Sequence, residues 1–249
     1  MKRHLPNFLT LLNLACGTTA IVLTMEGQWR WGVYLLLAAA FFDLLDGLAA
    51  RVLDAGSETG KQLDSLADVV SFGVLPGVCI YTLFRNLLDP SPDVNPSAVA
   101  RVPLFAEWVF WVSVLLVPTL TAIRLARFNV SGHQSPHFTG LPSPAHALFW
   151  TGIFWQLMDE QLLFGTPLNL FFLEAIVLIM ALHLILPVPM MALRFRHYRL
   201  RGNQFRYLLL LIAPVILIMT GMAGWSLVIL AYILLSLLNH LLGSRVTGV

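Results

Sequence analysis

Long apolar stretches recur along most of this chain, and they restrict what it can fold into. A bilayer core about 30 Å thick needs roughly 20 apolar residues for one helical span. Of the 249 residues, 58% are hydrophobic and only 11% are charged, whereas a soluble domain carries roughly 25% charged residues. The chain is therefore predicted to be all-α and to form a polytopic membrane helical bundle.

Eight apolar segments are predicted to be transmembrane helices. The first follows only "MKRHLP" and has no small-residue cleavage site after it, so we expect a retained helix and no signal peptide. We expect a single integral membrane domain over 1–249, with six helices in 1–200 and two further C-terminal helices in 201–249. The predicted spans are 7–25, 31–53, 65–88, 104–128, 144–164, 170–193, 206–222 and 225–242.

The basic residues predict how the chain is oriented. Counting alternate connections places 12 of the 15 Lys and Arg on one side, which by the positive-inside rule is the cytoplasm. Both termini and the connection after the second span are then cytoplasmic, in a bacterial-type inner membrane. The seven Trp fall on or lean toward the opposite side, as an interfacial aromatic belt would. The basic face indicates anionic lipid headgroups as partners, and no nucleic acid.

Four aspartates stand out in the stretch "DLLDGLAARVLDAGSETGKQLDSLAD" at 43–68. Asp43 and Asp46 are three residues apart and share one helix face, while Asp64 and Asp68 are four apart and share a face of the next helix. A connection of about ten residues between antiparallel helices can bring these faces together. The four carboxylates are therefore predicted to converge.

Four unneutralised carboxylates in one pocket would repel one another, so this arrangement indicates bound cations. Oxygen ligands without His or Cys favour Mg, Mn or Ca over Zn. Two such ions roughly 4 Å apart can neutralise phosphate oxygens and orient the attacking and leaving groups of phosphoryl transfer. The alternative is ordinary solvated carboxylates at helix ends, which is our interpretation of Asp54 and Glu58.

The same stretch resembles a known family. Asp43, Asp46-Gly47, Ala50-Arg51, Gly60, Asp64 and Asp68 match, position for position, the pattern D-x-x-D-G-x-x-A-R-x8-G-x-x-x-D-x-x-x-D of the CDP-alcohol phosphotransferases. The resemblance implies the family's membrane fold, a catalytic core in the first six helices, a homodimer and a site for two Mg²⁺ or Mn²⁺ ions. It also implies a CDP-linked lipid as substrate and CMP as the leaving group.

The resemblance also implies a role for each matching residue. Asp43, Asp46 and Asp64 would be metal ligands, and Asp68 would be both a ligand and the general base toward the acceptor hydroxyl. Gly47 and Gly60 would leave room for the nucleotide, and Arg51 would lie by the diphosphate. The segment "LPNFLTLLNL" resembles the family's first helix and adds Asn7 and Thr10 on the nucleotide side. An Asn after Pro is equally an ordinary helix N-cap.

Three further stretches, "SFGVLPG", "RLARFNV" and "FTGLPSPA", resemble the branch of the family that uses serine. They implicate Ser71, Arg124, Arg127 and Asn129 in binding the acceptor. The implied reaction transfers the phosphatidyl group from CDP-diacylglycerol to L-serine, giving phosphatidylserine and CMP. A guanidinium suits a carboxylate or a phosphate, so the arginines alone leave glycerol phosphate and inositol phosphate open. Topological anchoring for the arginines and helix packing for Ser71 are the structural alternatives.

Two other functions use acidic residues inside a membrane. A membrane prenyltransferase holds a diphosphate with two separated acidic motifs, whereas this sequence has one cluster. An ion-coupled transporter places carboxylates near the midplane, commonly within broken or repeated helices. Here the acidic residues are predicted toward one face, and the sequence has no evident repeat.

Overall fold

The computed structural model describes residues 4–88, 104–131, 138–160, 167–192, 200 and 202–246. A π-helical turn, Val70–Val74, joins α3 to α4, and a 3₁₀ turn, Gly221–Ala223, joins α8 to α9. Two short strands, β1 Phe138–Thr139 and β2 Pro189–Met190, pair in antiparallel register. The helices are α1 Leu5–Met25, α2 Trp29–Val52, α3 Glu58–Val69, α4 Leu75–Leu88, α5 Leu104–Ser131, α6 Ser143–Glu160, α7 Pro167–Ile185, α8 Gln204–Thr220 and α9 Gly224–Val246.

Five stretches of the described chain are long and apolar enough to cross a membrane, which confirms the predicted class of helical membrane bundle. The last stretch contains α8 and most of α9, which are predicted from the sequence as two spans. The predicted span at 170–193 contains a shorter apolar helix, and α6, within the span predicted at 144–164, is not among the five. The five stretches are Leu5–Met25, Trp29–Val52, Glu58–Asn86, Trp108–Val130 and Gln204–Leu242.

Part of the predicted orientation signal lies outside the described residues. This is true of Lys2, Arg3, Arg101 and the four arginines between 194 and 201. Within the described part, Trp29 and Trp155 form a T-shaped pair with ring centroids 5.2 Å apart, at the end of α2 that is far from the aspartates. Trp150 does not belong to such a belt, because it is fully buried within α6.

A face of small and polar side chains lets α1 pack closely against its neighbours. A Cβ added at Gly17 would lie 2.1 Å from Oγ of Ser71, and one at Gly32 would lie 2.1 Å from Oγ1 of Thr24. Helix α1 contacts α2, α3, the π-helical turn and α4, so these close approaches set the positions of the helices that carry the aspartates. The buried residues of α1 are Pro6, Thr10, Asn13, Gly17, Ala20 and Thr24.

The π-helical turn follows α3 directly. Within it the N–H of Leu75 bonds to the carbonyl of Val70, five residues earlier. Pro76 has no N–H and cannot donate to the carbonyl one turn before it, which removes an α-helical bond at this point. Such turns are frequent at functional sites. The turn buries three side-by-side residues of the predicted acceptor stretch, Ser71, Phe72 and Gly73.

The strand pair connects the beginning of α6 to the end of α7. Phe138 pairs with Met190 and Thr139 with Pro189, and the N–H of Gly140 donates to the carbonyl of Val188 at 2.9 Å. Helix α9 then packs against α6, α8 and β2. Met190 and Met191, at the end of this strand pair, are buried.

Candidate active site

Three carboxylates from two helices converge at one point. One oxygen of Asp43 on α2 and one oxygen each of Asp64 and Asp68 on α3 all lie within 4.8 Å of one another. The connection between α2 and α3 is short, and its end is fixed because Oγ of Ser57 accepts the N–H of Gly60 at 3.0 Å. Since α1 contacts both helices, it holds the two aspartate-bearing segments at this separation.

Asp46 lies beside this cluster and makes a different contact. It is buried, and its Oδ2 accepts a hydrogen bond from Oγ1 of Thr10 at 2.6 Å. It is not within the group of three carboxylates that meet the 4.8 Å spacing. The predicted set of four is therefore arranged as three converging carboxylates with Asp46 directed toward α1.

The chemistry of the cluster fits a divalent cation. Its ligand atoms are hard carboxylate oxygens, which are the ligands that Mg²⁺ and Mn²⁺ prefer. Oδ1 of Asp64 is buried and has no hydrogen-bond partner among the described residues. A buried carboxylate oxygen without a donor is costly, and a metal ion would satisfy it. The aspartate cluster is thus compatible with a metal site.

Asn13 is a member of the site that the sequence analysis did not identify. It is fully buried, and its Nδ2 donates to Oδ1 of Asp68 at 3.3 Å. Asn13 follows Thr10 by three residues and Asn7 by six, so all three lie on the same face of α1. That spacing is the signal that could have identified it.

A cavity with an internal volume of about 200 Å³ opens beside Asp46 and Asp64. Four of the residues predicted on the nucleotide side line it, and so does Lys61, which the sequence analysis did not single out. Asp64 therefore belongs both to the carboxylate cluster and to the cavity wall. The lining residues are Pro6, Asn7, Thr10, Asp46, Gly47, Ala50, Ala55, Gly56, Ser57, Gly60, Lys61 and Asp64.

Asn7 and Gly60 meet across this cavity. Asn7 lies inside α1, whose N-cap is His4, so Asn7 is not the N-cap. A Cβ at Gly60 would lie 2.8 Å from Oδ1 of Asn7, so any larger residue would crowd the contact. Arg51 is not among the lining residues, and its Nε donates to the carbonyl of Gly47 within α2 at 2.8 Å.

None of the four predicted acceptor residues lines the cavity, and two of them, Ser71 and Arg124, contact Asp68 or its partner Asn13. Oγ of Ser71 donates to the backbone carbonyl of Asn13 at 3.2 Å. Arg124 on α5 interacts electrostatically with Asp68, and its Nη1 donates to Oγ of the buried Ser143 at 3.1 Å. Arg127, one turn further along α5, is exposed. The structure therefore brings Ser71 and Arg124 toward the aspartates and leaves Arg127 at the surface.

Asn129 connects the end of α5 to the aspartate helix. Its Nδ2 donates to Oγ of Ser65 at 2.7 Å, and its backbone carbonyl accepts from Nζ of Lys61 at 2.8 Å. Ser65 lies next to Asp64, and Lys61 lies one turn before Ser65 on α3. Asn129 thus fixes α3 relative to α5, where the arginines lie.

His146 is a further buried polar residue of this region that the sequence patterns did not single out. It is fully buried on α6, one turn after Ser143, and Nε2 accepts the indole N–H of Trp150 at 3.2 Å. Because an indole nitrogen can only donate, the proton of neutral His146 lies on Nδ1. Nδ1 is buried without a hydrogen-bond partner in the part of the chain that is described.

Residues 3–193 match the sequence model of a protein family described as CDP-alcohol phosphatidyltransferase. The chain belongs to this family. The match includes every aspartate of the cluster, all the residues that line the cavity and the predicted acceptor residues. The match ends before α8, so α8 and α9 lie outside the part of the chain that matches the CDP-alcohol phosphatidyltransferase family.

Several relatives carry more specific names. The chain is 38% identical over 156 residues, 60% of its length and 46% of the relative, to the CDP-diacylglycerol--serine O-phosphatidyltransferase of Mycobacterium leprae. The enzyme of that name from Bacillus subtilis is 30% identical over 144 residues, 57% of this chain and 70% of the relative. The archaetidylserine synthase of Methanothermobacter thermautotrophicus is 33% identical over 161 residues, which are 61% of this chain and 60% of the relative. The chain spans about half the length of the mycobacterial relatives that it matches.

Proposed function

We propose that this protein transfers the phosphatidyl group of CDP-diacylglycerol to L-serine, giving phosphatidylserine and CMP. The observation that carries the proposal is the convergence of Asp43, Asp64 and Asp68 within 4.8 Å beside a cavity, in a chain of the CDP-alcohol phosphatidyltransferase family. The serine acceptor rests on the names of the relatives and on the resemblance of three sequence stretches.

The aspartates are proposed to hold two divalent cations, Mg²⁺ or Mn²⁺. Asp43, Asp64 and Asp68 offer converging oxygens, and Asp46 would join them from the cavity wall. When bound, such ions neutralise a diphosphate and favour departure of the nucleotide. Thr10 donates to Oδ2 of Asp46 and so fixes the direction of that carboxylate.

The cavity is the proposed site of the cytidine diphosphate part of the lipid. Asn7, Thr10, Gly47 and Gly60 line it, and the two glycines add no side chain to its walls. Arg51 is proposed to turn from its bond with the Gly47 carbonyl toward the diphosphate, because its Nη2 lies only 3.7 Å from where a Gly47 Cβ would be. The acyl chains would remain in the bilayer beside the bundle.

Asp68 is proposed to be the general base. It would take the proton of the serine hydroxyl while the oxygen forms a bond to the lipid-side phosphorus. The bond from that phosphorus to the bridging oxygen then breaks, and CMP leaves with the electron pair. Asn13 donates to Oδ1 of Asp68, which orients the carboxylate and leaves Oδ2 for the proton.

Serine is proposed to bind on the opposite side of Asp68 from the cavity. The proposed acceptor residues are Ser71, Arg124, Arg127 and Asn129. Arg124 interacts electrostatically with the base Asp68. A guanidinium offers a planar pair of donors that matches the serine carboxylate. Arg127 is exposed and would act at the entrance to this pocket.

We also propose a domain organisation, an oligomeric state and a membrane orientation for this protein. The chain would be a single domain with a catalytic core at 1–200 and two extra helices at 201–249, and it would form a homodimer in a bacterial-type inner membrane. The aspartates and both termini would face the cytoplasm. A Glu58→Cys variant should then react with an impermeant thiol reagent in inverted vesicles alone, and labelling only in right-side-out vesicles would reverse the orientation. Native mass spectrometry of the purified protein tests the dimer.

An acceptor panel tests the reaction. The purified protein is incubated with CDP-diacylglycerol, Mn²⁺ or Mg²⁺, and one of L-serine, glycerol 3-phosphate or inositol phosphate, and both CMP and the lipid product are measured. We expect CMP and phosphatidylserine with serine, and loss of both with EDTA. Product from another alcohol alone would replace serine as the acceptor. No CMP with any acceptor and either metal would remove phosphotransfer and return the ion-coupled transporter as the explanation of the acidic cluster.

A further inference from the structure

Side chains from the α8–α9 hairpin bind the backbone next to β2. Oη of Tyr232 on α9 donates to the carbonyl of Met191 at 2.9 Å, and the N–H of Met191 donates to Oγ of Ser236 at 3.2 Å. Nε of Arg206 on α8 donates to the carbonyl of Ala192 at 2.7 Å. The hairpin lies outside the family match, yet it holds the last described residues of the matched part.

This backbone segment in turn holds the residues before α6. Met190, next to Met191, pairs with Phe138. Gly140 donates to the carbonyl of Val188, and Leu141 donates to the carbonyl of His183, each at 2.9 Å. Gly140 has a φ of +77° and fits so closely that a Cβ would lie 2.6 Å from the carbonyl oxygen of Leu184. The position of 138–141 is therefore fixed by the segment that α9 holds.

Helix α6 begins two residues after Leu141, and its first residue is part of the acceptor side. Ser143 is fully buried and accepts from Nη1 of Arg124. Tyr232, at the other end of this series of contacts, is buried as well. A continuous set of contacts thus runs from α9 through β2 and β1 to Ser143 and Arg124.

We propose that Tyr232 and Ser236 are positioning residues for the acceptor pocket, acting through the β1–β2 pair and Ser143 on the guanidinium of Arg124. The proposal rests on the proposed function for the identity of the acceptor. The two C-terminal helices then have a role beyond filling the membrane, since they set the geometry of one substrate pocket and leave the other to α1, α2 and α3.

The bonds to Met191 also satisfy buried backbone groups of a non-helical segment, which have to find partners inside the protein. A purely structural role of Tyr232 would lower the amount of folded protein and leave the Michaelis constants of the remaining active molecules unchanged. A positioning role changes the KM for one substrate. KM does not depend on the active fraction of a preparation, so it separates the two roles.

The first experiment compares Tyr232→Phe with the unchanged protein. The substitution removes only the hydroxyl that bonds to Met191. We expect the KM for the acceptor to rise about twofold to tenfold, which is the effect of one net hydrogen bond. The KM for CDP-diacylglycerol should stay unchanged. Ser236→Ala should change the same constant in the same direction. The matched controls are Ser226→Ala and Tyr34→Phe. Ser226 is a buried serine on α9 whose hydroxyl donates to the nearby carbonyl of Ala223, and Tyr34 lies on α2.

The second experiment is a double-mutant cycle of Tyr232→Phe and Ser143→Ala. If Tyr232 acts through Ser143, the two increases in acceptor KM are not additive, and the double variant resembles Ser143→Ala. Additive effects, an unchanged acceptor KM in Tyr232→Phe, or equal changes in both Michaelis constants would each overturn the proposal. The acceptor is whichever alcohol the panel identifies, so a result against serine would not by itself decide the role of Tyr232.

Discussion

The two sides of Asp68 are built in different ways. The side that faces the cavity comes from α1, α2 and α3, which are consecutive in the chain and lie within the first 69 residues. The acceptor side combines the π-helical turn, the end of α5, the start of α6 and, through the strand pair, residues of α9. One half of the candidate site is local in sequence, and the other half combines residues that are distributed along the chain from Ser71 to Ser236.

This difference predicts that the two halves tolerate change differently. The local half contains glycines and carboxylates whose positions are fixed by close contacts, so a single added carbon or a lost charge acts directly on the site. The distributed half is held by single hydrogen bonds, each with a net effect of about 0.5–1.5 kcal/mol. We therefore expect large effects of substitution on the cavity side and moderate effects on the acceptor side.

The largest expected effect is that of Asp68→Asn. The amide keeps the shape of the carboxylate but cannot accept the acceptor proton, so kcat should fall by about 10²- to 10⁴-fold, the usual contribution of a general base. Initial rates of CMP release at saturating substrates measure this, and size-exclusion chromatography verifies that the variant is folded.

Asp54→Asn is the matched control for that substitution. Asp54 is exposed, in the connection between α2 and α3, with a φ of 45° that Asn accepts readily. Its activity should equal that of the unchanged protein. A folded Asp68→Asn variant with undiminished kcat would contradict the assignment of Asp68 as the general base. The carboxylates of Asp68 and Asp54 would then be equally unimportant for kcat.

Gly60→Ala should affect the cavity side alone. The new Cβ would lie 2.8 Å from Oδ1 of Asn7 and 3.0 Å from Oγ of Ser57, and overpacking of this kind costs about 1–3 kcal/mol, or about fivefold to a hundredfold in KM. We expect this increase in the KM for CDP-diacylglycerol and little change in the KM for the acceptor.

Gly56→Ala supplies the comparison for Gly60→Ala. Gly56 lines the same cavity, but a Cβ there would meet nothing within 4 Å, so its effect on the KM for CDP-diacylglycerol should be clearly smaller. Equal effects of the two substitutions would mean that the close contact between Gly60 and Asn7 is unimportant. An increase in the acceptor KM instead would contradict the division into two sides.

The same difference between the two sides governs what the sequence could predict. The sequence predicts the convergence of Asp43, Asp64 and Asp68 because helix periodicity places Asp64 and Asp68 on one face and a short connection brings that face to the helix of Asp43. Asn7 and Thr10 are predicted only through the family resemblance. Asn13 is not predicted, although it follows Thr10 by three residues as Thr10 follows Asn7. The all-α membrane class follows from hydropathy, since a bilayer leaves few other structures possible.

Other features depend on packing that no local pattern encodes. The separate orientation of Asp46 follows from its bond to Thr10, on a helix 36 residues earlier. Arg124 and Arg127 have the same sequence signal, yet only the first is directed inward, because Ser143 lies opposite it. The strand pair and the hydrogen bond of Tyr232 join residues about 40 to 50 positions apart, and the hydropathy of α9 gives no indication of them.

Arg124→Lys tests the acceptor side directly. Lysine keeps the positive charge but loses the planar fork that donates to Ser143 and suits a carboxylate. The KM for the acceptor should rise about fivefold to tenfold, which is about 1–1.4 kcal/mol, with the KM for CDP-diacylglycerol unchanged. Michaelis constants for both substrates provide the measurement.

Substitutions of two other arginines, Arg127 and Arg30, are the comparisons for Arg124→Lys. Arg127→Lys should have a smaller effect because Arg127 is exposed, and Arg30→Lys should change neither constant because Arg30 pairs with Asp159 at the far end of α2. If Arg127→Lys had the larger effect, the acceptor would bind nearer the surface than Arg124. If Arg124→Lys raised the KM for CDP-diacylglycerol equally, this arginine would belong to the lipid diphosphate.

The smallest expected effect concerns the contact that joins the two sides. Ser65→Ala removes the hydroxyl that accepts from Nδ2 of Asn129 and so loosens α5 relative to the helix that carries Asp64 and Asp68. Because the group is only partly buried, we expect about a twofold increase in both Michaelis constants, near the lower limit for one hydrogen bond. Ser65→Thr keeps the hydroxyl and should restore both constants. Thr18→Ala, which removes a bond within α1 at an exposed position, should change neither. If Ser65→Ala changed the KM for only one substrate, Asn129 would belong to the pocket of that substrate. The contact between Ser65 and Asn129 would then not join the cavity side to the acceptor side.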